Sequence, residues 1–243
     1  MVVEANISGQ PARVLYLDNA ASTGEFMDGT PAFAYINRTR VGYGLAGSPQ
    51  NALVIGVAGG TEVEDIKRAF PHAMVDGVDI DPRAVDAGRG YFSLKDDERT
   101  SIIIDDARRY IRKTDKTYGL VLIDAFRGRS IPYHLATKEF LTELKGRMGG
   151  DGIAVANIIS SLEGRDSGAF VRLYNTFSSV FTDVVVVPVG NDPGKVQNIV
   201  LIATDRDTSA FRAAHAAEIY GGRVMEAEPL TDELNPIELF VSK

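Results

Sequence analysis

The chain has 243 residues, of which 44% are hydrophobic and 24% are charged. This composition is that of an ordinary globular protein and excludes a disordered chain, a collagen-like repeat and a coiled coil. Cysteine is absent, which excludes disulfides, thiolate zinc sites, iron–sulfur clusters and a cysteine nucleophile. The 33 acidic and 26 basic residues give a formal charge of −7, so we expect no nucleic-acid partner.

The sequence carries no pattern typical of membrane targeting. The N-terminus lacks a basic segment followed by an apolar run, and no apolar stretch reaches about 18 residues. We therefore expect a soluble, cytoplasmic protein that has no membrane partner. A chain of this length can bury a large core without disulfides or a structural metal, and we expect no metal site.

From residue 51 onward, short β-branched runs alternate with amphipathic stretches, which is typical of βαβ units in a parallel sheet. The apolar runs predict strands at residues 52–56, 73–80, 101–104, 120–124 and 153–157. The amphipathic stretches predict helices at residues 61–70, 81–92, 107–112, 137–148 and 170–181. Two later strands, at 183–189 and 196–204, are joined by a short turn, so we expect them to pair antiparallel at one edge.

The first 48 residues differ in character from the rest of the chain. They contain several glycines and show no helical periodicity, and residues 13–17 and 32–36 are predicted strands. We therefore predict an N-terminal β appendage at residues 1–48. The catalytic domain is predicted at residues 49–243, as an α/β domain with a doubly wound, mostly parallel sheet and an antiparallel edge strand.

Open parallel sheets bind ligands at the carboxyl ends of their strands, so the residues that follow each strand are candidates for a site. The turn after the first strand of the sheet is rich in small residues, namely Gly56, Ala58, Gly59 and Gly60. Missing side chains let a ligand approach the backbone and the helix N-terminus, although a plain tight turn has the same composition. No Gly-Lys-Ser/Thr follows, so this is not a Walker A loop.

Three acidic residues follow the next strands. Asp79 ends the second strand about 20 residues after the turn, where a carboxylate can accept both hydroxyl hydrogens of a ribose. After the third strand, Asp106 can accept an adenine amino hydrogen and Ala107 leaves room for the ring; a helix cap is the alternative. Asp124 ends an apolar strand and faces the crevice, where it can fix a cationic substrate and take a proton from an attacking amine.

The segment after Asp124 is long enough to cover the predicted site. Tyr133 and His134 are candidates for contact with a substrate, and Arg127 lies in the same segment. The other histidines, His72 and His215, are predicted in surface helix or loop and are more typical of solvated side chains.

With these residues in view, the chain resembles the spermidine synthase family of aminopropyltransferases, which share the Rossmann-like class I methyltransferase fold. The resemblance covers about residues 50–160 and rests on residues 53–60, 78–82, 106–107 and 118–124. A subgroup of spermidine synthase-like proteins, often fused to transporter-like membrane segments, is resembled more specifically. The matching residues are 124–126, 131–132, 134–135, 137, 139–140 and 152–157, with the segment at 230–236.

The resemblance implies a transferase that binds S-adenosylmethionine or its decarboxylated form and moves an aminopropyl group to an amine acceptor. It implies S-adenosylhomocysteine or methylthioadenosine as the second product, a small-molecule acceptor, and a homodimer. The implied nucleoside-binding residues are Gly56, Ala58, Gly59, Gly60, Asp79, Ile80, Asp106 and Ala107. Asp124 is the implied catalytic residue, which serves the acceptor amine.

Two positions depart from the family pattern. Spermidine synthases carry an aspartate in the glycine turn that holds the aminopropyl ammonium, and Gly59 stands there in this chain. They carry a second aspartate three residues after the catalytic one, and this chain has Arg127. An arginine there would repel a diamine by about 4 kcal/mol for unit charges about 4 Å apart at an effective dielectric constant near 20.

Four other functions therefore stay open at the level of sequence. The absence of the turn aspartate makes room for the carboxylate of intact S-adenosylmethionine, which a methyltransferase would use. Arg127 fits a repurposed member that acts on a neutral or anionic substrate. An NAD-binding oxidoreductase shares the glycine turn and the acidic strand end. The fourth is a binding module without catalytic activity, in which Asp124 would have no catalytic role.

Overall fold

The computed structural model describes residues 1–125 and 132–240 of the chain. Its strands are β1 (Val2–Ile7), β2 (Gln10–Leu17), β3 (Ala20–Phe26), β4 (Asn51–Ile55), β5 (Met74–Asp79), β6 (Thr100–Ile104), β7 (Tyr118–Ile123), β8 (Met148–Ser160), β9 (Asp183–Pro188) and β10 (Gln197–Thr204). Its helices are α1 (Tyr35–Ala46), α2 (Thr61–Ala69), α3 (Pro82–Tyr91), α4 (Ala107–Lys113), α5 (Lys138–Lys145), α6 (Gly168–Ser178) and α7 (Ser209–Ala214).

Seven strands form the central sheet, in the order β6-β5-β4-β7-β8-β10-β9. The first five are parallel to one another, whereas β10 pairs antiparallel with both β8 and β9. The order reverses at β4, so β4 and β7 end side by side. The predicted doubly wound sheet with an antiparallel edge is therefore confirmed.

Two hydrophobic cores lie on the two faces of this sheet. Alternate residues of a strand point to opposite faces. Leu53 and Ile55 of β4 pack on the side of α5 and α6, with Phe140 and Phe170. Val54 packs on the opposite side, which holds α2 and part of α1. Burial on both faces explains why these strands are continuous apolar runs.

The predicted N-terminal β region is present as a three-stranded antiparallel sheet, β1-β2-β3. The strand predicted at residues 32–36 is wrong, because this segment leads into helix α1. The glycines in this segment weaken the helical pattern of the sequence, so the helix was not predicted. A Cβ on Gly42 would lie 2.7 Å from Cγ2 of Val155, so the missing side chain lets α1 pack closely on β8. The division of the chain at residue 48 stays a prediction.

One further difference concerns the helix predicted at residues 137–148. Helix α5 ends at Lys145, and β8 already begins at Met148. Among the residues described, no helix is long and apolar enough to cross a lipid bilayer.

Candidate active site

A cleft opens at the carboxyl ends of the parallel strands, and the N-terminal segment covers it. Its floor contains residues from the turns after β4, β5, β6 and β7. Its roof contains Ser22, Thr23 and Gly24 of β3, with Tyr35 and Ile36 of α1. The predicted position of the site at the strand ends therefore coincides with the observed cleft.

The glycine turn after β4 fits tightly between neighbouring segments. Gly56 has φ 89°, and a Cβ there would lie 2.3 Å from the carbonyl oxygen of Asp124. Ala58 also has a positive φ, 45°, and both residues line the cleft. Gly59 and Gly60 lie behind the cleft instead, packed against Thr23 and Leu94. The turn thus presents backbone to the cleft, as a close ligand approach requires.

Asp79 organises this turn through its carboxylate. One oxygen, Oδ2, accepts hydrogen bonds from the backbone N–H groups of Val57 (2.9 Å) and Ala58 (2.8 Å). The other, Oδ1, accepts from the N–H of Asp81 (2.8 Å). A carboxylate has about four acceptor positions, so Asp79 retains capacity for a ligand hydroxyl. The neighbouring Ile80 is 61% exposed and lines the cleft.

Asp106 follows β6 and has two partners. Its Oδ1 accepts from the N–H of Arg109 (2.9 Å), which caps α4, and Oδ2 lies 2.7 Å from Nε2 of His134. Burial favours a raised pKa for Asp106, but the hydrogen bonds from Arg109 and His134 outweigh it and lower that pKa. Asp106 therefore caps helix α4, as the alternative prediction stated. It also lines the cleft beside Ala107.

Asp124 lies at the bottom of the cleft and is held from two sides. Tyr35 donates its hydroxyl hydrogen to Oδ2 (2.8 Å), and Nδ2 of Asn157 donates to Oδ1 (2.9 Å). Asn198 in turn donates from Nδ2 to Oδ1 of Asn157 (3.0 Å), which fixes the orientation of that amide. Burial raises the pKa of Asp124, while the hydrogen bonds from Asn157 and Tyr35 limit the rise.

A second carboxyl, from Glu62 in the first turn of α2, lies against Asp124. Glu62 is only 5% exposed and lines the cleft. Burial and the charge and hydrogen bond of Asp124 hold the pKa of Glu62 well above its usual range. Within the described residues, Oε1 of Glu62 and Oγ1 of the adjacent Thr61 have no hydrogen-bond partner although both atoms are buried.

Sequence reasoning missed Glu62, Tyr35, Asn157 and Asn198 as site residues. Asn157 offered a signal, because it is a polar residue in the apolar strand β8, near that strand's carboxyl end. Glu62 offered one as well, since it lies one position inside the helix that follows the glycine turn. Tyr35 offered none, because its segment was predicted to be a strand.

Among the described residues that line the cleft, most of the ionisable side chains are carboxyl groups. Five carboxyl side chains line it, those of Glu62, Asp79, Asp105, Asp106 and Asp124. No lysine or arginine is among its lining residues in the described part of the chain. Such a cleft favours a cationic ligand.

The three residues predicted to contact the substrate differ in their positions relative to the cleft. His134 lines the cleft and contacts Asp106. Tyr133 is 59% exposed and is not a lining residue, although its ring lies against His134. Arg127 lies outside the described residues. No group of three or more His, Asp or Glu residues within 1–125 and 132–240 could hold a metal ion.

The seven-stranded sheet, its glycine turn and the acidic strand ends around one cleft define a Rossmann-like protein of the methyltransferase fold class. Most of the chain, residues 38–207, matches the family model of the spermine/spermidine synthase domain. The chain belongs to the spermine/spermidine synthase family, which confirms the resemblance drawn from its motifs.

Individual relatives agree with this assignment. A polyamine aminopropyltransferase of Vibrio vulnificus (strain CMCP6) is 32% identical over 150 residues, which are 60% of this chain and 50% of that protein. This chain therefore spans about half the length of that curated relative.

Two solved structures share the fold. A probable spermidine synthase from Corynebacterium glutamicum ATCC 13032 has a TM-score of 0.72 at 18% identity, covering 92% of this chain and 88% of that one. A spermidine synthase in complex with the transition-state analogue AdoDATO has a TM-score of 0.63 at 18% identity, covering 100% and 84%. At these identities the likeness establishes the fold.

Proposed function

We propose that this protein transfers an aminopropyl group from decarboxylated S-adenosylmethionine to a small amine acceptor. The observation that carries the proposal is the position of Asp124. This carboxylate lies in a cleft without lining lysine or arginine among the described residues, and Tyr35 and Asn157 fix its orientation. The family and the named relative support the same reaction.

The nucleoside would lie across the strand ends. Gly56 and Ala58 present backbone to its tail and ribose, and Asp79 has acceptor capacity for the ribose hydroxyls. Asp106 would accept from the adenine amino group, with Ile80 and Ala107 beside the ring. When bound, the sulfonium supplies a carbon that an amine can attack and a thioether that leaves with the bonding electrons. The described lining residues offer the cation no repelling charge.

Asp124 would act on the acceptor. An amine attacks only through its free electron pair, so its proton must go to a base within hydrogen-bond reach. Asp124 has free acceptor positions besides those that Tyr35 and Asn157 occupy. Positioning the amine and removing its proton is most of what such a reaction needs from the protein.

The decarboxylated nucleoside is proposed over the intact one because of charge. Glu62 and Asp124 lie next to the glycine turn, where a ligand carboxylate would meet two carboxyl groups. Gly59 leaves no room for that carboxylate, because Thr23 fills the space beside it. The homodimer and the cytoplasmic location stay predictions.

Product analysis tests the proposal. Purified protein is incubated with decarboxylated S-adenosylmethionine and putrescine, and mass spectrometry follows methylthioadenosine and the aminopropylated amine. We expect both products in equal amounts. Asp124→Asn should lower kcat at least about 100-fold while leaving the Kd for methylthioadenosine unchanged. Asp86→Asn, an exposed aspartate on α3, is the matched control.

Two outcomes would contradict the proposal. One is the absence of methylthioadenosine release with putrescine and with other diamines and polyamines. The other is an Asp124→Asn variant with normal turnover. Formation of S-adenosylhomocysteine from intact S-adenosylmethionine would indicate methyl transfer in its place.

A further inference from the structure

His134 connects a short helical turn to Asp106. It lies in the 3₁₀ turn Tyr133–Leu135, and its Nε2 atom is 2.7 Å from Oδ2 of Asp106. Burial alone would raise the pKa of Asp106, but the hydrogen bonds from Arg109 and His134 lower it, so this carboxyl is ionised at neutral pH. An ionised carboxylate only accepts hydrogen bonds, so Nε2 of His134 carries the hydrogen and donates it.

The turn that contains His134 is itself held by the C-terminal segment. Nδ2 of Asn235 donates to the carbonyl oxygen of Tyr133 (2.6 Å), and the Tyr133 ring meets the His134 ring edge-on, with centroids 5.4 Å apart. Arg108 donates to the carbonyl oxygen of His134 (3.4 Å) and also binds Asp232 (2.7 Å). The imidazole of His134 is therefore held in place without a ligand.

Asp106 is held by both of its carboxylate oxygens. Oδ1 accepts from the backbone N–H of Arg109 (2.9 Å), and Oδ2 accepts from His134. A carboxylate that is bound through one oxygen can still rotate about its bond to Cβ, whereas one bound through both oxygens keeps a fixed plane. Because a carboxylate has about four acceptor positions, Asp106 retains free ones, and their directions are fixed as well.

We propose that His134 is a positioning residue that makes the nucleoside site select a 6-aminopurine over a 6-oxopurine. The amino group of adenine donates a hydrogen bond to a carboxylate, whereas the 6-oxo group of hypoxanthine places an acceptor oxygen there, which the carboxylate repels. A carboxylate free to rotate could turn instead to the neighbouring N1–H of hypoxanthine. The fixed direction of Asp106 is therefore what gives the selectivity. This inference rests on the proposed function, because it concerns how the same cleft binds the base of its nucleoside.

Isothermal titration calorimetry with two nucleosides tests this role. The ligands are methylthioadenosine and methylthioinosine, which carry an amino and an oxo group at C6. For wild type we expect the Kd of methylthioinosine to be at least about 100-fold higher. His134→Leu should reduce this ratio of Kd values at least about tenfold, because the carboxylate loses one charge-assisted hydrogen bond and can rotate. A purely structural role of His134 would weaken both nucleosides equally and leave the ratio unchanged.

Two further variants make the test specific. His134→Gln should keep the ratio close to that of wild type, because the glutamine amide can place an N–H donor where Nε2 of His134 lies. His215→Leu is the matched control. Nδ1 of His215 lies 3.0 Å from Oε1 of Glu218, neither residue lines the cleft, and the His215 side chain is 33% exposed against 32% for His134. This control should change neither Kd, and thermal unfolding verifies that each variant is folded.

The outcomes separate this inference from the proposed function. Equal affinity of wild type for the two nucleosides, or the wild-type ratio in His134→Leu, overturns the role of His134 and leaves the proposed reaction in place. A ratio lost equally in His134→Leu and His134→Gln overturns the hydrogen bond as its cause. If neither nucleoside binds to wild type, the inference and the proposed function are both overturned.

Discussion

Tyr35 donates a hydrogen bond of 2.8 Å to Oδ2 of Asp124, across 89 residues of sequence. Burial and the neighbouring Asp124 hold the pKa of the tyrosine well above its usual value, so the hydroxyl keeps its proton and remains a donor. The N-terminal segment is therefore part of the site itself. Together with Asn157, its Tyr35 orients the proposed catalytic carboxylate and limits the rise in its pKa.

Replacing Tyr35 by phenylalanine should raise the pKa of Asp124, because a donor to its ionised form is lost. The acidic limb of the pH profile of kcat/KM should move to higher pH, and kcat at pH 7 should fall about tenfold, the equivalent of one hydrogen bond to a charged group. Tyr91→Phe, on the exposed end of α3, is the control. A fall in kcat with no change in the pH profile would mean that Tyr35 acts on packing alone.

Gly59 and Thr23 are expected to be energetically coupled. The N–H of Gly59 donates to Oγ1 of Thr23 (2.9 Å), and a Cβ on Gly59 would lie 2.6 Å from Cγ2 of that threonine. Gly59→Asp should lower the free energy of unfolding by about 1–3 kcal/mol through overpacking. Thr23→Gly should relieve the clash, so the double variant should lose less than the sum of the single losses. Urea unfolding measures all four proteins, and additive losses would contradict the coupling.

Arg108 links the C-terminal segment around Asp232 to helix α5 through hydrogen bonds. Its guanidinium donates to both oxygens of Glu143 and to both of Asp232, and its side chain is 8% exposed. We expect Arg108→Gln to lower the free energy of unfolding by about 2–3 kcal/mol at pH 7. Arg112→Gln, an exposed arginine on the same Glu143 carboxylate, should cost less than about 1 kcal/mol. Equal losses in the two variants would contradict this difference in burial.

The Arg108 contribution should also depend on pH in a defined direction. The hydrogen bond from Arg108 lowers the pKa of Glu143 from 4.5 to about 2 in the folded protein. The resulting stabilisation is present above pH 4.5 and is lost as the pH falls towards 2. The difference between wild type and Arg108→Gln should shrink in the same window, which urea unfolding at a series of pH values measures.

Glu62 should act in the opposite sense. Burial and Asp124 raise its pKa in the folded protein above the usual value of 4.5, so the folded state holds a proton that the unfolded chain releases. Glu62 therefore lowers the free energy of unfolding progressively as the pH rises above 4.5. We expect the difference in the free energy of unfolding between Glu62→Gln and wild type to shift in favour of the variant as the pH rises from 5 to 8. A constant margin between pH 5 and 8 would contradict a raised pKa.

The sheet could be predicted from sequence because its strands are buried on both faces. Runs such as the one before Gly56 are continuously apolar, and helices with one apolar face separate them. The strand-end rule then located Asp79, Asp106 and Asp124 in one crevice without a structure. The antiparallel pairing of β9 and β10 could be predicted because a short turn joins the two strands.

The roof of the cleft could not be predicted, for a physical reason. Helix α1 contains Gly42 and Gly44, which weaken a helical pattern, and Gly42 lets the helix lie close to the sheet. Packing against the sheet favours this helix, and the sequence pattern does not show such packing. The helix was therefore not predicted, and Tyr35 could not be placed in the site. Glu62 was missed because a glutamate in the first turn of a helix is ordinarily solvated.

The hydrogen bonds that run from Tyr35 through Asp124 and Asn157 to Asn198 have a consequence for synthesis on the ribosome. Successive members are separated by 89, 33 and 41 residues, so the last hydrogen bond, which orients the amide of Asn157, can form only when β10 has left the exit tunnel. Contacts between residues this distant in sequence form late, because loop closure must come first. The nascent chain therefore contains the glycine turn at residues 56–60 long before the hydrogen bonds around Asp124 are complete. A messenger truncated before β10 would yield a protein that cannot complete its own cleft.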